Sequence, residues 1–131
     1  MKKALILLTL LLTAGWAEVI NEPASKELME KKIPVIDIRT PGEWKETGLL
    51  KGSIPIVFFD ANGGYNVERF MKELNARIDT KKPYALICLT GTRTSMLAPY
   101  LSETYGHTVY NLEGGIVNAY RSGLPIEPYK E

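Results

Sequence analysis

One cysteine among 131 residues, Cys88, stands where an apolar run gives way to a loop of small and hydroxyl residues, Cys88-Leu89-Thr90-Gly91-Thr92-Arg93-Thr94. A thiolate is both a strong nucleophile and an anion, so its surroundings decide whether it reacts. Upstream, Pro83-Tyr84-Ala85-Leu86-Ile87 reads as a short buried strand, and downstream Thr94-Ser95-Met96-Leu97 opens a helix, which makes the segment a strand-to-helix turn. Successive backbone N–H groups in such a turn converge on one point, and the positive end of the following helix adds to them; a thiol held there is stabilised as the thiolate. Arg93 supplies a fixed positive charge, and Gly91 keeps the turn uncrowded. Most free cysteines are inert small apolar side chains. The glycine and arginine spaced behind Cys88 favour the reactive reading.

The elements that must hold this loop follow from pattern and punctuation. Asn21-Glu22-Pro23 before Ala24 to Lys32 predicts a capped first helix with proline in its opening turn. Pro34 to Arg39 is a β-branched run suited to a buried parallel strand, ending in the turn Thr40-Pro41-Gly42. Asp37 and Arg39, charged and at a strand end, read as a bracing ion pair supporting the loop region rather than as substrate contacts. Glu43 and Trp44 read as a helix start and a core anchor.

Phe58 to Tyr65, with Asn62-Gly63-Gly64, is an exposed turn, and Asn66 caps an amphipathic helix carrying Val67, Phe70, Met71, Leu74 and Ile78. Met96, Leu97, Tyr100, Leu101 and Tyr105 form a second helical stripe closed by Gly106. Pro99 inside it, at a cost of about 3 kcal/mol, predicts a kink or a late helix start. His107, in the following turn, is expected in solvent and without a role. Thr108 to Leu112 is the last expected strand, and Glu113-Gly114-Gly115 leads into a closing helix that ends at Gly123. Alternating strands and helices of these lengths predict an α/β fold, with a mostly parallel central sheet flanked by helices on both faces. Ligands bind such sheets beyond the strands' carboxyl ends, where Cys88 stands.

The start of the chain adds a compartment. Met1-Lys2-Lys3, the apolar run Ala4 to Ala14 and the small residues of Gly15-Trp16-Ala17 have the layout of a secretory signal peptide over residues 1–17, cleaved after Ala17. The apolar run is shorter than the roughly 20 residues a spanning helix needs, so no stable membrane anchor is expected. Residues 18–131 then make one domain, exported and periplasmic, with no linker or repeat dividing it. Taking Lys2 and Lys3 from the sixteen basic residues leaves fourteen against fifteen acidic, a near-neutral chain unsuited to a nucleic-acid partner. One cysteine excludes an internal disulfide, which leaves an odd thiol in an oxidising compartment.

The loop resembles that of the rhodanese (thiosulfate sulfurtransferase) family, whose pattern Cys-x-x-Gly-x-Arg-Ser/Thr is filled by Cys88, Gly91, Arg93 and Thr94. Asp37-Ile38-Arg39 followed by Glu43-Trp44 resembles a second family hallmark, and Asn111-Leu112-Glu113-Gly114-Gly115 with the close Gly123-Leu124-Pro125 a third. Leu49 replaces a usual His, and Ala119 a usual Trp. The resemblance implies a rhodanese-like domain without cofactor or metal. Its implied chemistry moves a sulfane sulfur from thiosulfate or a persulfide donor to a thiol or cyanide acceptor, through a persulfide on Cys88 cradled by Leu89 to Thr94. Thiosulfate is a dianion while the loop holds one formal charge, Arg93, so a neutral or protein-bound persulfide suits it at least as well. The alternatives are a non-catalytic sulfur carrier or partner-binding module, and a Cys-loop phosphatase or arsenate reductase. The last class places five residues between cysteine and arginine, whereas Leu89, Thr90, Gly91 and Thr92 make four.

Overall fold

The computed structural model describes residues 17–131, so the predicted signal peptide, Ala17 apart, lies outside the described residues. Five strands form one all-parallel sheet in the order β1 (Val19–Pro23), β6 (Val109–Glu113), β5 (Tyr84–Ile87), β2 (Val35–Asp37), β4 (Ile54–Pro55). A two-stranded antiparallel ladder, β3 (Leu49–Leu50) with β7 (Ile126–Glu127), sits apart from it. The helices are α1 (Lys26–Glu30), α2 (Pro41–Thr47), α3 (Val67–Arg77), α4 (Thr92–Tyr105) and α5 (Gly115–Arg121). None among the described residues is long and apolar enough to cross a membrane.

The two-residue period of a strand explains why the sheet needs cover on both faces. Ile36, Tyr84, Leu86, Cys88 and Val109 pack on one face with Phe70, Met71 and Leu74 of α3 and Leu97, Ala98 and Leu101 of α4. Val35, Ala85, Ile87 and Leu112 pack on the other with Leu28 of α1 and Ile116 and Ala119 of α5. Cys88 continues the α4-facing side of β5, and this parity places its sulfur beneath the start of α4.

Several expectations need correction. Asn21 and Pro23 do not cap a helix: they belong to β1, an edge strand parallel to β6, and α1 begins later, with Ser25 Oγ accepting from Leu28 N at 3.0 Å. Pro23, in register with Glu113, stands at the end of an edge strand, a place where a sheet tolerates proline. Thr40-Pro41-Gly42 is no separate turn but the cap and first residues of α2, with Pro at N1 and a capping box between Thr40 and Glu43. Helix α4 starts at Thr92, earlier than expected, and runs through Pro99 to a left-handed Gly106 cap. Its buried face is Thr94, Leu97, Ala98, Leu101 and Ser102, while Met96, Tyr100 and Tyr105 are exposed. Burial of that face outweighs the bond Pro99 cannot make. His107 is buried, its Nδ1 2.8 Å from the Tyr84 hydroxyl, and burial pushes its pKa down; Tyr84 on β5 supplies the polar partner that a turn position did not suggest. Val109–Glu113 is not the last strand, since β7 follows.

Candidate active site

Strand β5 delivers Cys88 at its carboxyl end and α4, fourteen residues long, starts four residues later, so the intervening backbone must reverse within Leu89 to Gly91. Gly91 makes this turn at φ +96°, a left-handed conformation that a side chain resists, and a Cβ there would stand 3.0 Å from Gly114 N. The turn brings the Gly91 N–H to 3.2 Å from the Cys88 sulfur, donating to it at the positive end of α4. Cys88 is 1% exposed.

Thr94, fully buried on the first turn of α4, faces the same sulfur at 3.7 Å. Its hydroxyl has one hydrogen and two acceptors in reach, Asn111 Oδ1 at 2.6 Å and the Gly91 carbonyl at 3.2 Å. The shorter contact takes the hydrogen, which leaves the Thr94 oxygen as an acceptor toward the thiol. Asn111 on β6 is fixed in turn by its Nδ2, which donates to Asn21 Oδ1 on β1 at 2.9 Å. Through Asn21 the edge strand β1 thus reaches the back of the site.

Arg93 does not stand free in the loop. Its Nη1 and Nη2 each donate to one Glu43 carboxylate oxygen at 2.8 Å, a bidentate pair between α4 and α2 with both side chains 26% exposed. These hydrogen bonds hold the Glu43 carboxyl down to about 2 against the opposing effect of partial burial. Glu43 likewise raises the Arg93 pKa, and the nearby Cys88 sulfur adds to that shift. The charge expected to serve an anion in the loop is already answered, fifty residues away in sequence.

Asp37, at the end of β2, and Arg39, two residues on, form an ion pair. Both side chains are wholly buried; Arg39 Nε donates to Asp37 Oδ1 at 3.0 Å and Nη2 to Oδ2 at 2.8 Å. Arg39 also donates to Thr47 Oγ1 and the Gly48 carbonyl, both at 2.7 Å, and Asp37 Oδ1 accepts from Trp44 Nε1 at 3.1 Å. The cluster fixes α2, and through α2 it fixes Glu43.

Gly115, second of the Gly-Gly pair and first residue of α5, lies directly against the loop. It holds φ +57°, and a Cβ there would lie 2.4 Å from the Cys88 carbonyl and 2.5 Å from that of Leu89. This close approach lets Ile116 N and Val117 N of α5 donate to those carbonyls at 2.9 and 3.1 Å. With the Cys88 and Leu89 carbonyls turned to α5, the Gly91 amide is left to face the sulfur. The Gly-Gly pair was the available signal; its target was not legible. Leu89 is half-buried, Thr90 and Thr92 are exposed, and their hydroxyls lie 3.4 Å apart at the mouth.

The family model for the rhodanese-like domain matches residues 21–121, a span containing all these residues. Among solved structures, a Mycobacterium tuberculosis protein is 19% identical with a TM-score of 0.67, over 86% of this chain and 100% of that one. A rhodanese-related protein from Thermoplasma volcanium is 24% identical with a TM-score of 0.63, over 86% of this chain and 100% of its own. A Rhodopseudomonas palustris protein described as a possible tyrosine phosphatase is 25% identical with a TM-score of 0.52, over 77% of this chain and 75% of that one. Curated protein sequences give no match.

Proposed function

Because the chain belongs to the rhodanese-like domain family, we propose that it is a sulfurtransferase that carries a sulfane sulfur as a persulfide on Cys88. The observation that supports this most directly is the seat of the sulfur. It lies at a parallel strand's end, accepts from Gly91 N at 3.2 Å and faces the start of α4. In the loading step the Cys88 thiolate attacks the outer sulfur of a donor. With thiosulfate, the new S–S bond forms as the bond to the sulfonate sulfur breaks, and sulfite leaves with that electron pair. The terminal sulfur of the persulfide is an anion, and the Gly91 N–H and the positive start of α4 that face the Cys88 sulfur serve it as well. Cyanide or a thiolate then attacks that terminal sulfur; thiocyanate or a new persulfide departs and the Cys88 thiolate returns. Thr94 accepts from the resting thiol and gives no hydrogen to the anion, since its own is committed to Asn111.

A phosphatase reading, raised by the Rhodopseudomonas palustris likeness, is disfavoured by the four-residue span between Cys88 and Arg93 and by the Glu43 carboxylate on that arginine. A sulfur carrier would load but not turn over. Export belongs to the same proposal. Intact mass of protein recovered from cells tests these points together. The chain should begin at Glu18, gain one sulfur atom with thiosulfate or an alkanethiosulfonate anion, and lose it to cyanide with thiocyanate released repeatedly. Cys88→Ser should stay folded and gain nothing. A variant that still turns over would move the nucleophile elsewhere.

A further inference from the structure

Within the loop Arg93 is the one charged residue, and a donor approaching Cys88 meets it already clamped. We propose that Glu43 is a specificity-determining residue: by holding Arg93 in a bidentate pair at the mouth of the loop it cancels the site's formal charge, so that singly charged or neutral sulfane donors are taken in preference to the thiosulfate dianion. This rests on the sulfurtransferase reading above. The pair is only 26% exposed on each side, so water screens it incompletely and an incoming dianion meets the carboxylate along with the guanidinium. Glu43 cannot swing away freely. Its Oε1 also accepts from Thr40 N at 3.3 Å and Thr40 Oγ1 at 3.2 Å, and α2 is anchored from behind by the buried Asp37–Arg39 pair and Trp44. The remaining attraction for an anion is that of backbone amides, which serves the transferred sulfur itself and is indifferent to what charge the rest of the donor carries.

Thiosulfate and methanethiosulfonate separate this effect from the chemistry, because both deliver an outer sulfur to the thiolate. The first releases sulfite and the second methanesulfinate, each leaving with the electron pair of the broken S–S bond. They differ by one unit of charge. Glu43→Gln keeps the length of the side chain and an oxygen for the Thr40 cap while freeing the Arg93 charge. It should lower KM for thiosulfate by about five- to tenfold at low ionic strength, leave kcat little changed, and move methanethiosulfonate by less than about threefold. Added salt should erase the gain in the variant, whereas wild-type KM for thiosulfate should be nearly salt-independent. If both donors shift together, or if wild type already shows a steep salt dependence, Glu43 does not govern donor charge. The wild-type salt series decides the point even if the variant folds poorly. Failure of methanethiosulfonate to load Cys88 at all would instead overturn the underlying sulfurtransferase reading, and mass spectrometry distinguishes that result from the others.

Discussion

Two arginine–carboxylate pairs, Asp37–Arg39 and Glu43–Arg93, bear on α2, and their difference is one of water. Arg39 and Asp37 are 0% exposed, and beyond each other they bond to Thr47, Gly48 and Trp44. Arg93 and Glu43 have the same chemistry and the same 2.8 Å contact, yet are 26% exposed and have α4 and the loop mouth beside them. A buried charge deprived of its partner has nowhere to find another, so the first pair functions as a strut. A pair in contact with solvent can be undone at modest cost, which makes the second a position where charge at the site can be changed while the fold stands.

The largest expected effect breaks the strut. Arg39→Met strands the Asp37 carboxylate in the core and should cost about 3–5 kcal/mol, the usual penalty for removing one member of a buried pair. Urea unfolding followed by far-UV circular dichroism measures this as a lower midpoint at unchanged slope. A loss below about 1 kcal/mol would mean that the two pairs do not differ in kind.

Arg93→Gln is the matching change at the mouth and should cost only about 1 kcal/mol. Its kinetic effect is larger than its effect on stability, since Glu43 is left as an unanswered negative charge and KM for thiosulfate should rise about tenfold. Adding Glu43→Gln to it should bring KM back toward wild type, because the double variant, like the wild type, presents no net charge there. A double variant as poor as the single one would show that Arg93 binds the donor itself and that Glu43 is a bystander.

The strut was legible in the sequence and the mouth pair was not, for a physical reason. Asp37 ends β2 and Arg39 follows it two residues on, so closeness in sequence and opposite charge alone place them together. Glu43 and Arg93 are brought together only by the crossing of α2 and α4, and each had a sufficient local explanation: Glu43 as a capping residue, Arg93 as the loop's cation. Cys88, the β5 strand, the α/β class and the Asn66-capped helix were readable because apolar runs and caps are local signals. Strand β1 was not, since Asn21-Glu22-Pro23 carries the residue types of a helix cap, and its strand conformation comes from pairing with β6 ninety residues on, from Asn21 to Asn111. His107 was misread for the same reason: its buried partner, Tyr84, is remote in sequence.

The smallest effect concerns acid. Glu43 titrates at about 2 in the folded protein against 4.5 as a free side chain, so its pairing stabilises the fold fully above the higher value and less as pH falls toward the lower. Between them the unfolded chain takes up a proton that the folded chain refuses, and that difference is what is lost. Glu43→Gln has no such proton. The gap in Tm between wild type and this variant should therefore stay level from neutral pH to about pH 5 and close progressively below about pH 4.5. Partial exposure limits the whole gap to about 1 kcal/mol, or roughly 4–8 °C. Other carboxylates titrate in both proteins alike and drop out of the comparison. The absence of a gap at any pH would place the pair in open solvent, with Glu43 titrating alike in the folded and unfolded chains. A gap that stays level as the protein is acidified toward Glu43's own pKa would show that Arg93 does not hold the carboxylate in the folded state, and the clamp at the loop's mouth would fall with it.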